Sequence, residues 1–310
     1  MRESTGMADP LSDILSIANA RAVLTGGFTA GGPWAIRFPA RDKIKFAAVV
    51  KGACWVTLEG EPAPGRLEAG DVTLLAEQRG FVLASDLDVE PVDAISVFSG
   101  AGATLVTLGD GGAFEYLGGH VELAPASGRL LMEVLPPWIH IGAASPHAVV
   151  SRWLMDQLVA EGAGAQPGRE LVSAQLTQLL FMQILREHLR NVGEAPAGWL
   201  RALADPRIAA ALNLMHAEPG RAWGLDELAR AAAMSRTTFA AHFKAATGVA
   251  PLTYLTQWRM RLAERALRED RESVAVIAAS LGYASESAFS NAFKRETGAS
   301  PRAFRNGAAR

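Results

Sequence analysis

A single cysteine, Cys54, is all the thiol the chain has, so no internal disulfide can form and the fold must be held by packing. No apolar run approaches the ~20 residues of a membrane-spanning helix, and no span is expected. The N-terminus has no signal-type apolar core, so a cytoplasmic location is expected. Histidine is scarce, with 6 in 310 residues, and no His-x-His sequence, phosphate-binding loop or nucleophile–base constellation stands out. No catalytic residues, metal or cofactor are therefore expected. Residues 1–8 carry no pattern and read as a disordered N-terminus.

What is present is unevenly spread. The formal net charge of −2 conceals 16 Lys and Arg against 10 Asp and Glu in residues 200–310, net +6. Residues 1–199 carry 14 against 22, net −8. A basic C-terminal part on an acidic remainder is the footprint of phosphate contact confined to one end. With 49% apolar residues, 310 positions give room for two globular domains and a linking element.

The basic part contains a repeat. Phe239, Phe243, Lys244, Thr247, Gly248 and Pro251 return 50 residues later as Phe289, Phe293, Lys294, Thr297, Gly298 and Pro301, which reads as one supersecondary unit used twice. Each copy has the pattern of a helix-turn-helix. In the first, Leu225, Leu228, Ala229 and Ala232 form an apolar stripe, Met234-Ser235 makes the corner, and Ser235 caps the next helix. In the second, Ser273 caps a helix carrying Val274, Ile277, Ala278 and Leu281, Gly282 allows the turn, and Ser285 caps the following helix. The phenylalanine pairs are spaced i,i+4 on the buried side of each second helix. Gly248 and Gly298 suit the left-handed position that closes a helix, and Pro251 and Pro301 the first position of the next. Between the copies, Leu252 to about Arg268 is a helix-compatible run of ~17 residues, roughly 25 Å long. A strut of that length would hold two recognition helices about one duplex turn, ~34 Å, apart.

Residues 207–305 resemble the DNA-binding domain of the AraC/XylS family, most closely in Ile277-Ala278, Gly282-Tyr283, Ser285, Phe289, Phe293-Lys294, Thr297-Gly298 and Ser300-Pro301. The resemblance implies a seven-helix, two-motif domain that activates or represses transcription, with double-stranded DNA and RNA polymerase as partners. An ordinary helical bundle with a duplicated hairpin is the competing reading. Helix geometry puts Arg236, Thr237, Ala240 and Ala241 on the outer face of the first recognition helix, and Glu286, Ser287, Ser290 and Asn291 on that of the second. These are the candidates for reading bases, although each also suits a plain solvated helix position. Asn pairs bidentately with adenine and Ser with several base edges, whereas Ala and the Thr methyl offer only contact to thymine methyls. Lys244, Arg259, Arg261, Lys294 and Arg295 are the candidates for phosphate.

The N-terminal part reads as short strands: Lys45 to Val50, Cys54 to Leu58, a Gly-Asp turn into Val72 to Leu75, then Phe81 to Ala84, Ala94 to Phe98 and Thr104 to Leu108. Strands at such intervals suggest a small β-barrel or sandwich. Gly52 and Glu68-Ala69-Gly70-Asp71 with the strand after them resemble a cupin sensor domain. Asp9-Pro10-Leu11, Trp34, Arg37-Phe38-Pro39 and Cys54-Trp55 resemble a cupin subgroup fused to such DNA-binding domains. Many cupins are metal enzymes and need two or three His and a carboxylate converging on the metal. This barrel has His120 alone, after its last expected strand, and Phe81 stands where related domains often carry a histidine. A binding barrel remains, with Trp34, Arg37, Phe46 and Trp55 as candidates to line an effector pocket suited to an anionic or aromatic ligand. Core packing is the alternative role for the same side chains.

Residues from about 128 to 193 read as helical after a turn at Pro136-Pro137, with His140 and His147 in a loop. Val149, Trp153, Leu154 and Leu158 form one apolar stripe, and Leu171, Leu176, Leu179, Leu180, Met182, Ile184 and Leu185 a second. The pair either covers the barrel or joins two subunits as a homodimer. The expected architecture is thus α+β and multidomain: a cupin-like β-barrel (9–125), a helical linker (126–196) and an all-α domain with two helix-turn-helix motifs (197–310). The expected function is sequence-specific regulation of transcription in response to a small-molecule effector. The alternatives are a metal-independent cupin enzyme with an accessory DNA-binding domain, and a DNA-binding protein without an effector.

Overall fold

The computed structural model describes residues 9–40, 43–76, 79–99, 105–124, 131, 135–146, 148–164, 166–191, 199–269 and 272–308. The expectations for residues 1–8 and for His147 fall outside them. The described chain divides into two units, each with its own core.

The first unit (20–124 and 135–191) is built on eleven strands: β1 Arg21–Ala30, β2 Ala35–Phe38, β3 Ile44–Lys51, β4 Ala53–Leu58, β5 Gly65–Glu68, β6 Val72–Leu75, β7 Phe81–Ala84, β8 Val92–Asp93, β9 Leu105–Leu108, β10 Phe114–Glu122 and β11 Trp138–Ile141. They form two sheets, ordered β11-β6-β3-β10-β1-β9 and β5-β4-β7-β2-β8. Alternation decides which side chains enter the core. Cys54 and Val56 of β4 point inward with Phe28, Ile36, Val49, Leu67, Leu83 and Phe114. Aromatic rings fill the middle, with Trp34 4.7 Å from Phe114 and 5.2 Å from Phe28, centroid to centroid. The Cys54 thiol is fully buried and burial pushes its pKa up to about 12, which makes it an inert core group.

Two helices that pack on each other, α3 Ala148–Ala163 and α4 Arg169–Asn191, belong to this unit, and α4 packs on β1 and β11. The side chain of Gln178 on α4 continues the ladder of β1: its Oε1 accepts from the Ala22 amide at 2.8 Å and its Nε2 donates to the Ala20 carbonyl at 3.2 Å. Three sequence expectations change here. Ala94–Phe98 is a short helix, α2, because the Asp93 carboxylate accepts the Ile95 amide at 2.7 Å as an N-cap. Residues 138–141 form a strand rather than a loop or helix, and His140 on it has Nε2 2.9 Å from Asp71 Oδ2, which accepts. His120 lies within β10, not beyond it.

The second unit joins residues 192–310 to the N-terminal segment. Its helices are α5 Trp199–Ala204, α6 Pro206–Ala217, α7 Leu225–Ala231, α8 Arg236–Thr247, α9 Pro251–Glu269, α10 Val274–Ser280, α11 Glu286–Thr297 and α12 Pro301–Ala308. The hydrophobic core is double. Leu255 of α9 belongs to a cluster with Leu212, Leu228, Phe239 and Phe243, whereas Met260, Ala263 and Leu267 of α9 belong to one with Ile277, Phe289 and Phe293. Among the described residues no helix is long and apolar enough to cross a membrane.

An unexpected helix completes this unit. Asp9 caps α1, Pro10–Ile17, by accepting the Leu11 amide at 3.1 Å, and Pro10 occupies the first turn. α1 packs on α6 and α9. There His216, its side chain fully buried, has Nδ1 3.1 Å from Asp13 Oδ2 and Nε2 2.8 Å from the Tyr254 hydroxyl, and stacks 3.9 Å from Trp258. Burial holds the His216 pKa below its ordinary 6.5, with the Asp13 carboxylate opposing the shift. The folded unit therefore binds this proton less readily than the unfolded chain. Its stability contribution is complete above pH 6.5 and is lost as the pH falls below it. Urea midpoints measured from about pH 7.5 to about pH 5.5 should fall, and His216→Gln should flatten the difference. Equal slopes for the two proteins would contradict this account of His216.

Candidate nucleic-acid interface

The repeat seen in the sequence is repeated atom by atom in the caps. The Ser235 hydroxyl accepts the Thr238 amide at 3.2 Å, and the Ser285 hydroxyl the Ala288 amide at 3.1 Å. At the far ends, Thr247 donates to the Phe243 carbonyl at 2.9 Å and Thr297 to that of Phe293 at 2.8 Å. Gly248 (φ 85°) and Gly298 (φ 81°) then close the helices. The two turns differ. After α10 the left-handed position is filled by Gly282 (φ 80°), whereas after α7 the same role falls to Ala233 (φ 52°), and the second turn is one residue longer before its capping serine.

With each phenylalanine pair buried, the opposite faces of α8 and α11 are left to solvent. On α8, Arg236, Thr237, Ala241 and Lys244 are exposed and Ala240 is half-buried. On α11, Ser287, Asn291, Lys294 and Arg295 are exposed, with Glu286 and Ser290 half-buried. The second face therefore carries hydroxyl and amide groups where the first carries methyls, and only the former offer paired donors and acceptors to base edges. Arg302 at the start of α12 is 84% exposed and stands 3.6 Å from Glu286, next to the same face. It was not among the sequence candidates; its place directly after the capping pair Ser300-Pro301 was the available signal.

Arg259 has partners within the unit that the sequence did not indicate. Its Nε donates to the Pro219 carbonyl at 2.6 Å and its Nη2 to the Arg221 carbonyl at 2.8 Å, while the guanidinium lies 5.9 Å from the Tyr283 ring centroid. Burial lowers its pKa from the arginine norm. Two backbone carbonyls from the loop before α7 and a ring from the second motif thus converge on one side chain of α9. The backbone closes on itself at the same place: a Cβ on Gly282 would lie 2.1 Å from the Gly220 carbonyl oxygen. Arg259 is a pin between the two motifs, with its Nε and Nη2 engaged inside the unit. Arg261 is half-buried and acts on Glu264, whose pKa burial raises and whose neighbours Arg268 and Arg261 lower.

In the β unit, Phe46 lines a cavity of about 470 Å³ together with Phe38, Lys43, Lys45, Phe81 and Tyr116, among others. The other three pocket candidates go elsewhere. Trp34 is in the core, Arg37 is exposed on β2, and Trp55 is half-buried under the Arg66 guanidinium, 5.0 Å from its ring centroid. Since Cys54 and Val56 face the core, Trp55 between them must face out. Among the described residues no group of three or more His, Cys, Asp or Glu is arranged to hold a metal ion.

Substitution of the outer faces should separate two kinds of contact. Asn291→Ala should relax base preference at one position by about 1–3 kcal/mol, whereas Lys244→Gln with Lys294→Gln should weaken binding to all sequences and lower the salt slope by about 1 each. Arg259→Ala should behave as neither: a salt slope like that of the parent, with a stability loss of about 2 kcal/mol that Lys does not restore. Gel-shift titrations at several salt concentrations, with urea unfolding, check all three.

Comparison with known proteins agrees with this construction. A cupin family profile matches residues 9–190 and a helix-turn-helix domain profile matches residues 228–307. An AraC-like transcription regulator of Streptomyces antibioticus is 41% identical over 297 residues, covering 96% of this chain and 98% of that protein. The HTH-type transcriptional regulator AlkR of Acinetobacter baylyi is 31% identical, covering 88% of this chain and 91% of its own. Among solved structures, the DNA-binding domain of AdpA in complex with a target DNA is 33% identical, covers 33% of this chain and 92% of its own, and has a TM-score of 0.31. With 41% identity to such a regulator over nearly its full length and both halves matched, the chain belongs to the AraC family of DNA-binding transcription regulators, with an N-terminal cupin domain.

Proposed function

We propose that this regulator works as a homodimer that inserts α8 and α11 of each chain into successive major grooves of its operator, and acts on RNA polymerase there in response to a small molecule held by the cupin domain. The observation that carries the groove reading is the pair of recognition helices with matching caps, joined by one 19-residue helix that shares a core with each. At 1.5 Å per residue that helix is about 28 Å long, close to the ~34 Å of one duplex turn. In this reading residues 9–125 supply the sensor, apart from α1, residues 126–196 pair the subunits, and residues 197–310 bind DNA.

Exposed apolar side chains support the pairing. Val149 is 75% exposed and Trp153 55% on α3, and Leu171 is 68% and Leu179 52% on α4. Large apolar side chains left exposed on both helices are what a partner subunit would cover. The cupin cavity is assigned to binding, not turnover, in keeping with relatives that are transcription regulators. Genome-wide mapping of bound sites should return operators with two motifs about 10 base pairs apart. Inserting about half a helical turn between them should cost more than about tenfold in affinity, because one helix would then face the wrong side of the duplex. Unchanged affinity after the insertion would remove the two-groove reading. Sedimentation of Trp153→Arg against the parent tests the dimer, the expected outcome being a lighter species.

A further inference from the structure

The cavity in the β unit has a polarity that specifies a class of ligand. Its wall is aromatic, formed by Phe38, Phe46, Phe81 and Phe98. One end is cationic. Lys43 donates to His120 Nε2 at 2.9 Å, and Lys45 donates to the Pro39 carbonyl at 2.6 Å while lying 5.0 Å from the Phe81 ring centroid. Among the described residues no Asp or Glu lines the space. A carboxylate close to this end, Glu122, is 3.8 Å from His120 Nε2 but half exposed and outside the lining.

A second observation is independent of charge. Tyr116 is only 4% exposed and lines the cavity, yet its hydroxyl has no hydrogen-bond partner among the described residues. The phenol oxygen is not sealed from solvent, so it can donate into the cavity, to water or to an oxygen of a ligand. Burial raises the Tyr116 pKa, which keeps the phenol protonated and able to donate.

Resting on the reading of this domain as a sensor, we infer that the cavity binds an organic acid with an apolar body. The carboxylate lies at the Lys43 and Lys45 end, the body lies against Phe46, Phe81 and Phe98, and the Tyr116 hydroxyl donates to an oxygen of the ligand. The volume of about 470 Å³ is in the range of small-molecule sites. A sugar or a sugar phosphate fits poorly, because its hydroxyls would be buried against the phenylalanines without partners. A neutral hydrocarbon fits poorly for the opposite reason, since it brings no acceptor to the phenol and no charge to the cationic end.

The experiment is calorimetric titration of the full-length protein with 4-phenylbutyrate and decanoate, each against the matched alcohol. The acids should bind at least about tenfold more tightly than the alcohols. Lys43→Glu, at an exposed position, should remove most of that difference while leaving the weaker alcohol binding in place, and Tyr116→Phe should reduce acid affinity without changing the fold. Failure of both acids to bind, equal binding of acid and alcohol, or an unaltered preference in Lys43→Glu each overturns the assignment. Operator affinity is read separately on the same samples. Acid-selective binding with unchanged operator affinity supports the cavity assignment and removes the sensor reading instead.

Discussion

The geometry of the DNA-binding half depends on how a single helix is held by two cores and one arginine. α9 contributes Leu255 to the first motif's core and Met260, Ala263 and Leu267 to the second's. Between those patches Arg259 reaches the Pro219 and Arg221 carbonyls and faces the Tyr283 ring. A helix gripped only by apolar contacts can roll by several degrees at little cost. A planar guanidinium bonded to two fixed carbonyls cannot, because its donors are directional. The angle between α8 and α11 is therefore set by hydrogen bonds at one point and by packing on either side of it.

That point also explains why the second turn requires glycine while the first does not. Gly282 sits where the loop of the first motif passes within van der Waals range, and a methyl group there would overlap the Gly220 carbonyl. Ala233 occupies the equivalent left-handed backbone position in the first motif and tolerates it, since an isolated αL alanine costs only about 1–2 kcal/mol. The duplication is thus symmetrical in its caps and asymmetrical at its centre, where the two copies meet.

Much of the helical unit was legible because each repeated residue does something mechanical within its own helix. Serines cap, threonine and glycine close, and phenylalanine pairs anchor. Such roles depend on neighbours a few positions away. What failed depended on distant partners or on a single competing contact. Arg259 reads as a surface cation until the loop 40 residues earlier is in place. Ala94–Phe98 has the composition of a strand, and one aspartate cap turns it into a helix. β1 carries Gly26-Gly27 in its middle, which hides its alternation. Of four aromatic and cationic pocket candidates only Phe46 reaches the cavity; the Cys54/Val56 alternation could have excluded Trp55, and nothing local foretold that Lys43, Lys45 and Tyr116 would converge.

α1 gives the chain an unusual order of assembly. Asp13 and His216 are 203 residues apart, so this helix, made before the β unit, must wait through the synthesis of that entire unit before its seat exists. Until then Leu11, Ile14 and Leu15 have no native surface to pack on, and the apolar stripe of this short segment stays open through the making of the β unit.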